Sequence, residues 1–168
     1  MSDPTPLSRR QWLASALGGV AALAVTGRAA SALAAATGAP PDAPLPAVTV
    51  HKDASCSCCE KWIAHMRSSG FTVTVRDEAD IDAVKDELGV PAALRSCHTA
   101  VVGGYLVEGH VPAADVKRLL RTRARVAGLA VPGMPTGTPG MEIPGRRPDR
   151  YTVLAFDARG ATKSFASH

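Results

Sequence analysis

A chain of 168 residues has room for one domain and a short export segment, but not for two full cores. The apolar share of 46% is ordinary, and the 4% aromatic content predicts a modest, mainly aliphatic core. The formal net charge of +4 comes without a basic stripe interleaved with aromatics, which argues against nucleic acid as a partner. The cluster Lys117, Arg118, Arg121, Arg123 and Arg125 reads instead as the solvated face and end of a helix.

The first 36 residues read as an address. Ser8-Arg9-Arg10-Gln11-Trp12-Leu13 is a twin-arginine export motif, followed by an apolar run from Ala14 to Val25. That run is short for a membrane span, and the alanines from Ala32 to Ala36 offer small-residue cleavage sites. A cleaved leader, a periplasmic destination and a mature form without a membrane span are expected. Removing Arg9, Arg10, Arg28 and Asp3 with it lowers the charge from +4 to +2.

Residues 37–46 are rich in Pro and Ala and read as a linker, which leaves 47–168 as the domain. Ala47 to His51 alternates as a strand does. Asp53 or Ser55 is placed to cap a helix from Cys58 to Ser69, with Cys59, Trp62, Ile63 and Met66 on its inner face. Phe71 to Val75 reads as a second strand. Ile81, Val84 and Leu88 mark a second helix, stopped at Gly89 and Pro91.

Two strands, Thr99 to Val102 and Tyr105 to Glu108, flank Gly103-Gly104, a strong hairpin signal. Pro112 opens a third helix with Val116, Leu119 and Leu120 facing inward. The order strand, helix, strand, helix, strand, strand, helix is the thioredoxin-like topology. It predicts an α/β fold with a mixed sheet between helices on both faces. Beyond Gly128, the Pro- and Gly-rich stretch from Val131 to Pro148 reads as a long ordered loop. Tyr151 to Phe156 and Ala161 to Phe165 read as a terminal hairpin.

The four cysteines all fall in the domain, three of them crowded as Cys56-Ser57-Cys58-Cys59 and the fourth at Cys97. A stapling framework spreads its cysteines, so the crowding points to chemistry. Cys56 and Cys59 form a C-x-x-C pair at a helix start, where unpaired N–H groups stabilise thiolate. In a thioredoxin-like topology the turn before the third strand lies beside that helix start, which brings Cys97 and His98 to face the pair. Thioredoxins carry a cis-proline in that turn. This chain has none there, which weakens a redox reading.

Soft thiolates select monovalent copper or zinc. Copper(I) is satisfied by two or three sulfurs, whereas zinc wants four ligands, which Cys56, Cys59, Cys97 and His98 supply. Met134 and Met141 add thioethers that suit copper, and Cys58 and His110 are further candidates. His51, His65 and His168 read as ordinary imidazoles. Three functions follow: a Cu(I) sequestration or delivery protein, a thiol–disulfide oxidoreductase in which Cys56 attacks and Cys59 resolves, and disulfides that merely tie loops. No hydrolytic or phosphate-binding motif is present.

Cys56-Ser57-Cys58-Cys59 with Lys61-Trp62, then Ser96-Cys97-His98-Thr99-Ala100-Val101, Glu108-Gly109-His110-Val111-Pro112, Gly128 to Pro135 and Gly140-Met141-Glu142 together resemble a bacterial metal-binding family labelled CopG-like or copper-resistance-associated. The resemblance runs from Val48 to Phe165. It implies a periplasmic thioredoxin-like domain with Cys56, Cys58, Cys59, Cys97, His98, His110, Met134 and Met141 at its metal site. The sequestration or delivery function, for its part, leads one to expect a copper-donating or copper-accepting periplasmic protein as partner. Ser57 stands where many members have Gly, a change to the turn that removes no ligand.

Overall fold

The computed structural model describes residues 44–168. The segment read as a twin-arginine leader, with its expected cleavage sites, and most of the expected linker lie outside the described residues. Among the described residues, no helix is long and apolar enough to cross a membrane.

Strand β1 (Val48–Asp53), helix α1 (Ser57–Ser68), β2 (Val73–Glu78) and α2 (Ile81–Leu88) come first, followed by a 3-10 turn at Ala92–Leu94. Then come β3 (His98–Val102), β4 (Tyr105–Glu108), α3 (Ala113–Thr122), β5 (Gly128–Ala130), β6 (Thr152–Phe156) and β7 (Thr162–Ser167). They build one seven-stranded sheet in the order β2-β1-β3-β4-β5-β6-β7. β1 and β2 run parallel, while β3 is antiparallel to both β1 and β4. The predicted thioredoxin-like sheet is therefore present, and β5 to β7 extend it.

Register fixes the two faces. Lys52 pairs with His98, and Val50 with Ala100, so their side chains share the face that carries α1. Trp62, Ile63 and Met66 of α1 and Val116 and Leu119 of α3 pack there against Val48, Val50, Ala100 and Val107. Each such Val, Leu, Ile or Met side chain, fully withdrawn from water, contributes roughly 1.5–3 kcal/mol. Thr99 and Glu108 pair with each other and point to the opposite face, where α2 lies and Lys85 reaches them. Leu94, Ala130 and Phe156 form a smaller apolar cluster.

Several elements differ from the sequence reading. β2 begins two residues late and runs through Arg76, Asp77 and Glu78, because an edge strand tolerates charges that hide its pattern. Neither Asp53 nor Ser55 caps α1. Cys56 takes the capping position without a side-chain bond, and Asp53 instead accepts from the amide and hydroxyl of Ser55, shaping the turn. β5, only three residues long, went unread. Lys117 and Arg118 are not simply solvated: they lie over the rings of Phe71 and Phe165.

The glycine pair behaves as expected. Gly103 and Gly104 both have positive φ, 55° and 84°, the conformation a two-residue hairpin turn requires.

Candidate metal centre

The first turn of α1 and the turn entering β3 meet at one end of the sheet. Cys56, Cys58, Cys59 and Cys97 bring their sulfurs within 4.8 Å of one another. Cys58 Sγ lies 3.6 Å from Cys56 Sγ and 3.9 Å from Cys97 Sγ. Cys56 and Cys59 are joined as a disulfide, while Cys58 and Cys97 are free thiols. Cys59 is buried; the other three are half-exposed.

Cys97 belongs to a second group as well, with His98 and His110. Its sulfur lies 3.3 Å from His98 Nδ1 and 3.0 Å from His110 Nε2. His110 Nδ1 faces the carbonyl of Pro139 at 2.8 Å, so the ring proton sits on Nδ1 and Nε2 presents its lone pair to Cys97. His98 is buried against Trp62 and His110, with ring centroids 4.5 and 5.0 Å away. Among the described residues its Nε2 finds no hydrogen-bond partner.

Burial sets the protonation states. It holds His110 below the usual imidazole range, and His98 well below it with help from the neighbouring His110. Both rings are neutral at neutral pH, which is the ligand form. Burial, with the nearby Cys58, pushes the Cys97 thiol up to about 12. In the metal-free protein Cys97 therefore keeps its proton and donates it toward His110 Nε2.

Two surrounding devices escaped the sequence reading. Lys52 is buried, pairs with Glu60 and Asp77 at 2.9 Å each, and donates to the carbonyl of Asp53 at 3.1 Å. It thereby fixes the segment that leads into Cys56. The loop from Val131 to Pro148 closes over the centre. Ser96 Oγ donates to the Gly133 carbonyl at 2.6 Å, Pro139 meets His110, and Gly140 sits against the first turn of α1. The sequence signal for Lys52 was a charge at an inward-facing strand position; the loop contacts had none.

Of the eight residues singled out from sequence, the four cysteines, His98 and His110 come together. Met141 is half-buried beside Gly140, and Met134 is 55% exposed.

Sulfur spacing tests whether an ion fits. Two sulfurs bound at about 2.3 Å to one ion lie about 3.8 Å apart at a tetrahedral angle and about 4.0 Å apart at a trigonal one. The 3.9 Å between the free thiols of Cys58 and Cys97 matches those edges, and Cys56 Sγ stands 3.6 Å from Cys58 Sγ while bonded to Cys59. His110 also shows the arrangement typical of a ligating imidazole, with its other nitrogen tied to a backbone carbonyl. The donors fit a soft metal ion.

Fold and cluster together define a thioredoxin-like domain carrying a cysteine–histidine centre. Residues 94–141, which contain Cys97, His98, His110, Met134 and Met141, match the family described as "Protein of unknown function, DUF411". Two solved structures named "Copper resistance protein copG", Form 2 and Form 1, are 52% and 51% identical, with TM-scores of 0.70 and 0.69. Each match covers 74% of this chain and 98% of the other. No curated protein matches. The chain belongs to the copper-resistance-associated family of these CopG proteins.

Proposed function

We propose that this chain is an exported soft-metal-binding protein that holds monovalent copper, for sequestration or for delivery to a periplasmic partner. Once the Cys56–Cys59 disulfide is reduced, Cys56, Cys59 and Cys97 are the principal ligands, with Cys58, His98, His110, Met134 and Met141 as further donors. The observation that carries the reading is the convergence of four sulfurs within 4.8 Å, from segments 38 residues apart. The name shared by the two solved relatives supports copper over zinc, as do the thioethers on the covering loop. The twin-arginine motif supports export.

A bound copper ion supplies a soft Lewis acid that keeps its thiolates deprotonated. The protein's own residues do the rest. The helix start at Cys56 favours thiolate, and His110 is oriented by Pro139 so that its lone pair faces Cys97. Burial keeps both imidazoles free of competing protons. Loading must displace the proton of Cys97.

Anaerobic titration of the reduced protein with Cu(I) against a chelator probe, with elemental analysis of freshly purified protein, tests the reading. Competitive uptake of Cu(I) is expected; failure to compete ends it. Stoichiometric zinc with no copper preference would reassign the metal.

One observation favours a second reading, a thiol–disulfide oxidoreductase. Cys56 and Cys59 are bonded at the helix start, with Cys56 the more exposed partner and so the accessible one for attack. Disulfide reduction that survives chelators and disappears in Cys56→Ser would favour it.

A further inference from the structure

On the α2 face of the sheet, behind the centre, lies a fully buried ion pair that the metal reading does not use. Lys85 is 1% exposed and Glu108 0%, with Nζ 2.5 Å from Oε1. Burying both charges carries a large desolvation cost for each ion, and an apolar pair of similar volume is often as stable. The pair therefore calls for a reason beyond packing.

Its contacts supply one. Besides Lys85, the Glu108 carboxylate accepts from the hydroxyl of Thr99 and, at 2.5 Å, from the backbone amide of Ser96. Lys85 also donates to Thr99 Oγ1 at 2.9 Å. The carboxylate thus accepts from three donors, drawn from α2, from β3 and from the turn that carries Cys97. The backbone of the same residue accepts from Val131, where the covering loop begins. Ser96 in turn donates its hydroxyl to Gly133. The chain packs so tightly here that a Cβ on Gly109 would lie 2.7 Å from the Val131 carbonyl and 2.8 Å from Ser96.

No proline stiffens this turn between Pro91 and Cys97. A proline at position 96 would also lack the N–H that Glu108 holds. We propose that Glu108, braced by Lys85, is the positioning residue for Cys97. Its carboxylate anchors the Ser96 amide and so sets the next residue's thiol against Cys58 and His110. Lys85 neutralises the anchor; Thr99 orients its second oxygen. The proposal rests on the metal-centre reading for its purpose, but the anchoring itself is a property of the metal-free chain.

The test uses the full chain, reduced, in three variants. Lys85→Met/Glu108→Leu removes both the charges and the acceptor. Lys85→Met/Glu108→Gln removes the charges but leaves an amide oxygen for Ser96. Val153→Ala, a core change on β6, controls for lost stability. Cys97 alkylation, read by peptide mass spectrometry without metal, and Cu(I) affinity, read by chelator competition, are both measured. Outer residues that orient ligands typically account for 10- to 100-fold in metal affinity, so the Leu double is expected to bind Cu(I) at least about tenfold more weakly. Its Cys97 should alkylate faster by a similar factor.

The Gln double should recover most of both losses, and Val153→Ala should leave the alkylation rate unchanged. Equal behaviour of the Leu and Gln doubles overturns the proposal. If no form of the protein binds Cu(I), the metal reading falls while the alkylation rates still decide the anchor. If the Leu double does not fold, amide exchange in the unmodified chain decides: Ser96 should be protected, and exchange at the free-peptide rate overturns the proposal.

Discussion

Cys97 is the one residue common to both donor groups, and its protonation links binding to pH. Because its thiol is pushed up to about 12, it stays protonated throughout the physiological range, and the ligand role proposed for it requires the loss of that proton. Each unit rise in pH therefore favours loading by about tenfold through this group alone. In Cys97→Ser the slope of log affinity against pH, taken from about pH 6 to pH 8, should fall by about one, and affinity should drop by at least about tenfold. An unchanged slope in the chelator-competition assay would remove Cys97 from the ligand set. Residue His65 makes a separate, structural prediction. Its Nε2 accepts the amide of Ala113 at the start of α3, 3.1 Å away, which only a neutral ring does. Burial lowers its pKa from the ordinary 6.5, partly offset by Glu142. The unfolded chain therefore takes up this proton first as the medium is acidified. The stability it contributes is complete above pH 6.5 and is lost as pH falls through that value toward the lowered native one. Urea unfolding of metal-free protein should show lower stability at about pH 5.5 than at about pH 7.5. His65→Gln should lessen that dependence without abolishing it, because burial lowers His98 and His110 as well and each adds a loss of the same sign; an identical pH profile in the variant would show that His65 contributes nothing to it.

At the scale of elements, the covering loop is what turns an open helix start into a partly covered centre. Gly140 is where it presses on α1: φ is +91°, and an added Cβ would lie 2.8 Å from the Trp62 amide nitrogen and 3.0 Å from the Cys58 carbonyl. Gly140→Ala should therefore cost about 1–3 kcal/mol and lift the loop from α1. Faster alkylation of Cys58 and Cys97 together with a lower unfolding midpoint is the expected outcome, and a variant indistinguishable from wild type would show that the loop closes nothing. The sequence made the elements around the centre legible to different degrees. The helix faces of α1 and α3 and the Gly103-Gly104 hairpin were readable because periodicity and turn chemistry are local. β5 was not: Gly128, Leu129 and Ala130 are all buried, so no alternation marks them, and the strand exists only because β4 and β6 pair with it. The convergence of Cys97 with the C-x-x-C segment followed from topology. The partners of His110 and Ser96 on the loop did not, because hydrogen bonds across 29 or 37 residues to backbone carbonyls leave no trace in residue type. Lys52 and Lys85 were hidden for the opposite reason, since lysine is so seldom buried that an inward-facing one reads as an error of register.

For the molecule as a whole, the centre joins the two ends of the folding problem, because its sulfurs come from segments that only the folded sheet brings together. An ion that binds the native state and not the unfolded chain adds its binding free energy to stability. At a free Cu(I) concentration 100 times Kd the gain is about 2.7 kcal/mol, which for a domain of this size raises Tm by roughly 8 °C or more. The redox state of the Cys56–Cys59 pair decides how many sulfurs take part. With the disulfide formed, Cys58, Cys97 and the two imidazoles remain; reduced, all four thiols are free to bind. Anaerobic calorimetry of the two forms should show a large Cu(I)-dependent rise in Tm for the reduced protein and a much smaller one for the oxidised. Cys56→Ser/Cys59→Ser should behave like the oxidised form, which separates loss of ligands from loss of the crosslink. Equal rises in all three would mean that Cys56 and Cys59 bind no metal, and that the ion is held by Cys58, Cys97 and the histidines alone.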